Sequence, residues 1–302
     1  MATRTLRTTD TRRRPLAAEL PGRVLHFLRR WPVIPMFIVA TVLFAAVFSP
    51  VLTPHDPLNP DSILDRNAPP MWMEGGSSEH ILGADEVGRD ILSRLIRASR
   101  ITVIVVGVST AVGVISGTAL GLITGYFGGW IDEIVMRIVD MWGALPYILI
   151  ILTIVVVFGG SFPILVISLA LLSWPGAVRL VRAETLRLRS RDYVLMAKTA
   201  GANWPRILYR HILPGVWHIV IVTATLQTGN LILTEATLSF LGAGVPQPEP
   251  SWGSMASGGR NYLRDAWWVS VIPSIAIGLV VLAGNFLGDW IRDRLDPTLR
   301  QL

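Results

Sequence analysis

Covalent catalysis needs nucleophiles, bases or metal ligands gathered at one point, and this sequence scatters them. The histidines are His26, His55, His80, His211 and His218, and none forms a metal-binding pair of the H-E-x-x-H kind. His211 and His218 are closest in sequence, but Pro214 stands between them, which argues against one helix face presenting both. Cysteine is absent, so disulfides, thiolate ligands and thiol nucleophiles are excluded together. Lys198 is the only lysine and follows Ala197, so a G-x-x-x-x-G-K-[ST] phosphate loop cannot occur. The expectation is a chain with no catalytic residue, no metal and no bound cofactor. If ATP drives its work, the ATP and Mg sit on another subunit.

Two residue stripes carry more information than the titratable groups. Thr223, Gln227, Asn230 and Thr234 recur at helical spacing within an apolar block, so they share one face. Polar side chains at membrane depth avoid lipid; the stripe therefore lines either a translocation pathway or a set of interhelical hydrogen bonds. Glu235 falls on another face and near the block's end, where a carboxylate is expected to reach water or pair helices. Ser109, Gly113, Gly117, Gly121 and Gly125 lie four residues apart, a small-residue face that lets a second helix approach to backbone contact.

These stripes must be positioned by membrane helices. Of the 302 residues, 51% are hydrophobic and only 16% charged, too little charge for an ordinary soluble surface. Six apolar blocks are long enough to cross a hydrocarbon core of roughly 30 Å: Val33 to Leu52, Ile101 to Gly125, Ile138 to Phe158, Ile164 to Leu180, Gly215 to Phe240 and Val269 to Ile291. The first reads as a retained anchor, since a polar tail precedes it and it exceeds a usual signal core. Gly159, Gly160 and Pro163 favour a tight turn between the third and fourth blocks over one kinked helix.

Basic residues set the orientation. They crowd the tail at 1–32 and the segment 181–213, with more in the tail 292–302, and these fall on one side. Segment 53–100, rich in acid, falls on the other. Arg94, Arg97 and Arg100 run against that trend and suit an amphipathic turn lying at the interface before the second span. The expected fold class is an all-α integral membrane protein with six transmembrane helices, N-in/C-in, its core spans within 101–291. The basic tail suits lipid headgroups better than nucleic acid.

Between the fourth and fifth spans, Ser190 to Pro214 reads as two short helices. Ser190 or Asp192 is placed to cap the first, Gly201 to end it in a left-handed turn, Asn203 to cap the second, and Pro214 to close it. Tethered between spans, such a hairpin suits docking of a cytoplasmic protein better than reading DNA.

At this point the sequence resembles a known family, the permease subunits of ATP-binding-cassette importers, in the branch handling peptides, nickel and related solutes. Asp192-Tyr-Val-Leu-Met-Ala-Lys-Thr-Ala-Gly201, followed by Arg-Ile-Leu-Tyr-Arg-His-Ile-Leu-Pro214, is similar to that family's coupling loop. Ala197, Gly201, Leu213 and Pro214 match; Leu195 replaces the family's Glu, Met196 its Ala and His211 its Ile. His80 to Asp90, Gly125 to Trp130, Leu238 to Pro246, Pro250 to Met255 and Gly288 to Pro297 resemble further segments of the branch. Coverage runs from about Trp31 to Pro297.

The resemblance implies a multi-pass protein of a bacterial or archaeal cytoplasmic membrane. It implies four kinds of partner: a second homologous permease, two ATPase subunits that hydrolyse ATP, an extracytoplasmic solute-binding protein, and membrane lipid. Tyr193, Val194, Leu195, Met196, Ala197, Lys198, Gly201, Ala202, Arg206 and Pro214 would then carry ATPase coupling. The expected cargo is di- or oligopeptide, with nickel or another nutrient as the alternative. A secondary transporter fits less well, because no inverted repeat is visible.

Overall fold

The computed structural model describes residues 32–60 and 62–295, and every regular element among them is helical. The basic tail up to Trp31, and Pro297 and Arg300 after the last helix, lie outside the described residues. In chain order the helices are α1 (Val33–Leu52), α2 (Ile91–Phe127), α3 (Gly129–Ala144), α4 (Tyr147–Phe158), α5 (Phe162–Arg189), α6 (Asp192–Thr199), α7 (Trp204–Ile207), α8 (Leu213–Phe240), α9 (Trp252–Gly258) and α10 (Trp268–Leu295). By length and composition five helices are able to cross a membrane, and the bent pair of α3 and α4 makes a sixth if it counts as one crossing.

Three elements differ from the sequence reading, each for a local physical reason. The third span is not straight: it bends by 90° between α3 and α4. Pro146 has no amide to donate and disfavours helix at Leu145, which is extended with ψ of 141°. Ile91 to Arg100 do not form a separate turn lying at the interface. They are the first part of the 37-residue α2, capped by Asp90, whose carboxylate accepts from the Ser93 amide at 2.7 Å. At 1.5 Å per residue such a helix is about 55 Å long, so it must project well beyond a core of about 30 Å.

The third difference is at Pro214. It does not close the short helix α7, because α7 runs through a π-helical turn at Leu208–Ile212 straight into α8. There the Leu213 amide reaches back to the Leu208 carbonyl, slipping the ladder by one residue beside the proline that has no donor. The proline therefore does not separate His211 from His218, although no metal-holding cluster exists among the described residues.

The seam that organises the bundle joins α2 to α5. A Cβ added to Gly113 would stand 2.4 Å from that of Ser173; the corresponding distances are 2.6 Å for Gly117 and Ala177, 2.8 Å for Gly121 and Val181, and 2.6 Å for Gly125 and Thr185. Real Cβ atoms do not approach so closely, so side chains here would hold the helices apart. Both partners advance in steps of four, hence α2 and α5 run parallel. Above the glycines, the Ser109 hydroxyl donates to the Val166 carbonyl at 3.0 Å.

Ion pairs fasten α3 beneath this seam. Arg182 grips Asp132 with two guanidinium nitrogens, Arg179 reaches Asp140 at 2.8 Å, and Arg189 donates to the Gly125 carbonyl at 3.0 Å. At the other end of the bundle α9 folds back under a capping box of Ser251 and Ser254, and the Trp252 indole donates to the Leu95 carbonyl. Arg97 holds Glu249 by two bonds of 2.7 and 3.0 Å. That contact keeps the Glu249 carboxyl below the usual carboxylate range. Two of the three arginines expected at the interface are thus structural: Arg97 is paired and Arg94 is only 3% exposed.

Candidate functional site

Two features combine exposure with definite geometry. The first is the hairpin of α6 and α7. Arg191, not Ser190 or Asp192, occupies the cap position of α6, and the Ser190 hydroxyl instead donates back to the Arg187 carbonyl at 3.1 Å. Gly201 ends the helix at φ of +83°; its amide reaches the Lys198 carbonyl, and the Ala202 amide reaches that of Ala197. This is a Schellman closure, in which a residue with no Cβ takes the left-handed position at least cost. Asn203 caps α7 by accepting from the Arg206 amide at 3.3 Å.

The hairpin is pinned from beneath and apolar on top. Val194, Ile207, Leu208 and Ile212 are buried against Leu188 and Val216. Met196 is 63% and Tyr209 77% exposed, and Tyr193, Leu195 and Trp204 are exposed around them. Lys198, Gly201 and Arg206 are exposed on the same hairpin, while Ala197 and Ala202 are half-buried. Val194 therefore belongs to the hairpin's support and not to its presented face. Pro214 lies beyond the tip, at the second position of α8. The hairpin thus presents a contiguous set of exposed apolar and aromatic side chains, Tyr193, Leu195, Met196, Trp204 and Tyr209.

The second feature is a cavity of about 440 Å³ against α8. Gln227, Asn230 and Thr234 line it, opposite Trp142, Gly143, Leu145 and Tyr147 of the bent pair and Pro175 of α5. The bend at Pro146 is what brings Trp142 and Tyr147 to one rim. These aromatic residues had escaped the sequence reading; Pro146 inside an apolar block was the available signal.

Thr223 does not join the other three. It lines a separate space of about 350 Å³ with His218 and Arg292, and its hydroxyl is buried without a hydrogen-bond partner. The three remaining polar residues present uncharged hydrogen-bonding groups to the 440 Å³ cavity. Glu235 corrects an expectation: only 1% exposed, it does not reach water, and it accepts from the Ser239 hydroxyl at 2.7 Å. Its neighbour Ala236 packs against the fold-back of α9, where a Cβ on Gly253 would lie 2.1 Å from the Ala236 carbonyl.

Residues 117–301 match the family model described as the inner membrane component of binding-protein-dependent transport systems. The chain belongs to this family. Among its curated relatives is the dipeptide transport system permease protein DppC of Escherichia coli K12, 41% identical over 96% of this chain and 99% of the relative. The di/tripeptide transport system permease protein DppC of Pseudomonas aeruginosa is 40% identical over 86% of this chain and 85% of that protein. The glutathione transport system permease protein GsiD of Pectobacterium atrosepticum is 44% identical over 75% of each. The chain is thus a multi-pass permease component of the cytoplasmic membrane, and its apolar helices are membrane helices.

Proposed function

We propose that this permease forms half of the translocation pathway of an ATP-driven importer for di- and tripeptides, with a homologous permease supplying the other half. The observation that carries the reading is the hairpin: a rigid, apolar-topped handle at one end of α8, with the polar cavity further along the same helix. Two cytoplasmic ATPases binding ATP and Mg would grip Tyr193, Leu195 and Met196. Their closure would then move α8 and α5 as rigid bodies and open the cavity to alternate sides. Peptide as the cargo rests on the three named relatives and on the uncharged polar lining. An extracytoplasmic binding protein would deliver it.

Six crossings with both termini inside fit this reading. Parallel α2 and α5 favour it, because the chain between them, α3 and α4, must then return across the membrane. The basic segments 1–32, 181–213 and 292–302 then share the cytoplasmic side, and 53–100 lies outside.

The test is uptake into vesicles reconstituted with the permease pair, the ATPases and the binding protein. ATP-dependent accumulation of labelled dipeptide is expected. Uptake of nickel in its place, or peptide uptake unchanged without nucleotide, would overturn the reading.

A further inference from the structure

Three hydrogen-bonding side chains converge on the space of about 350 Å³ between α5, α8 and α10, and none of them is spent. They are His218, Thr223 and Arg292, set among aliphatic walls that include Leu180 of α5 and Leu226 of α8. We propose that this space binds an anionic phospholipid from the leaflet on the hairpin's side, with Arg292 and His218 on the phosphate and Thr223 on a glycerol-ester carbonyl. The inference needs only that the chain spans the membrane, and it is independent of what the permease carries.

Unused donors are the first argument. Thr223 is 4% exposed and its hydroxyl has no partner, whereas Thr225 and Thr228 on the same helix return theirs to carbonyls four residues back at 2.8 Å. A buried hydroxyl left unbonded is destabilising, so an acceptor brought in from outside would be held there. His218 is half-buried and makes no hydrogen bond among the described residues. Arg292 is exposed, with no ion-pair partner among them. No carboxylate lines the space among the described residues, so the guanidinium charge there is unopposed.

Depth is the second argument, and it selects a lipid over a free anion. A Cβ on Gly229 would meet the Asn285 side chain and one on Gly288 the Leu226 side chain, so α8 and α10 run antiparallel. The start of α8 and the end of α10 therefore share the end of the bundle that carries the hairpin. The apolar block of α10 stops at Ile291, next to Arg292; Trp290 precedes it, and Trp217, 56% exposed, adjoins His218. Tryptophan and arginine where apolar blocks end mark the membrane–water interface. Thr223 stands five residues further along α8 than His218, about 7.5 Å deeper. Phosphate first, ester carbonyls beneath it and acyl chains below those are the order in which a phospholipid would meet these groups. A free phosphate would leave Thr223 and the aliphatic walls unused. A dipeptide would bring an ammonium group for which the space holds no carboxylate.

The experiment follows the melting midpoint of the assembled transporter in detergent as dioctanoyl phosphatidylglycerol is titrated in. A saturable rise is expected, with little rise for dioctanoyl phosphatidylcholine or dioctanoylglycerol. Arg292→Gln should raise the half-saturating concentration of phosphatidylglycerol by about tenfold, the loss of one charge-assisted contact. Thr223→Val, which keeps the shape and removes the hydroxyl, should raise it by about threefold. Arg292→Lys keeps the charge and should stay near the unaltered protein. Because Arg292 is exposed, its variants should melt normally without lipid.

A half-saturating concentration unmoved in Arg292→Gln would overturn the site. An equal response to dioctanoylglycerol or to phosphatidylcholine would show that no anionic phosphate is read, and would overturn it as well. Inorganic phosphate producing the whole rise by itself would make this a free-anion site. Displacement of the lipid by dialanine, but not by its C-terminal amide, would make it a cargo site. Either result would overturn the lipid assignment, and neither depends on ATP or on uptake.

Discussion

Glycine does opposite work at the two regions that matter most, the α2–α5 seam and the tip of the hairpin. At Gly117 an added Cβ would stand 2.6 Å from both the Ala177 Cβ and the Trp174 carbonyl oxygen, so what counts there is the absence of volume. At Gly201 an added Cβ would meet nothing within 4 Å, and what counts is φ of +83°. One glycine is required by its neighbours, the other by its own backbone. The seam is therefore the rigid frame of the permease. The hairpin is a local turn whose shape is set by a few residues, Gly201 and Asn203 among them.

The largest expected effect breaks the seam. Gly117→Leu forces a branched side chain against backbone that has no room to move, which should cost about 3 kcal/mol or more. Thermal unfolding in detergent should show a fall of many degrees or loss of folded protein; an unchanged midpoint would mean that the helices are not in backbone contact. Gly201→Asp should cost only about 1 kcal/mol, because the strain is confined to one left-handed residue. Its uptake should nevertheless fall more than tenfold while ATP hydrolysis continues. A variant with normal uptake would remove the turn from the coupling proposal. Met196→Asp sharpens the contrast further: it should leave the midpoint within about 0.5 kcal/mol of wild type, since the side chain is exposed. Pull-down of the ATPase subunits should weaken several-fold, and undiminished recovery would place their contact elsewhere.

How legible each region was in the sequence follows from the same contrast. The glycine spacing of four marked a close-packed face before any partner was known, because helical periodicity is local. Its partner, the Ser173 to Thr185 face of α5, carries no comparable run of glycine and only the fold reveals it. The hairpin's turn at Gly201 and cap at Asn203 were legible as residue types in order. The cap of α6 was not, because the Ser190 hydroxyl is drawn to the Arg187 carbonyl instead. The candidate cavity was half legible. Gln227, Asn230 and Thr234 of the four-residue stripe face it, whereas its aromatic rim depends on a 90° bend that hydropathy averages away. The arginines before the second span were misread for a related reason: amphipathicity reports which faces differ, not whether the partner is lipid or Glu249.

The smallest expected effect tests that last correction. With Arg97 bonded to it, Glu249 has a lower carboxyl pKa in the folded protein than in the unfolded chain, so the unfolded state takes up its proton first as pH falls. The pair therefore contributes stability above the unfolded value of about 4.3, and that contribution is lost as pH falls through the lower folded value. Both side chains remain about a third exposed, at 29% and 32%, which limits the contribution to roughly 0–1 kcal/mol. Glu249→Gln should accordingly melt slightly below wild type at pH 7, and the gap should narrow at a pH below the unfolded value. Urea or thermal melts at the two pH values read this directly. A gap that persists at low pH would mean that Glu249 acts by packing, and the start of α2 would then be held by shape and not by charge.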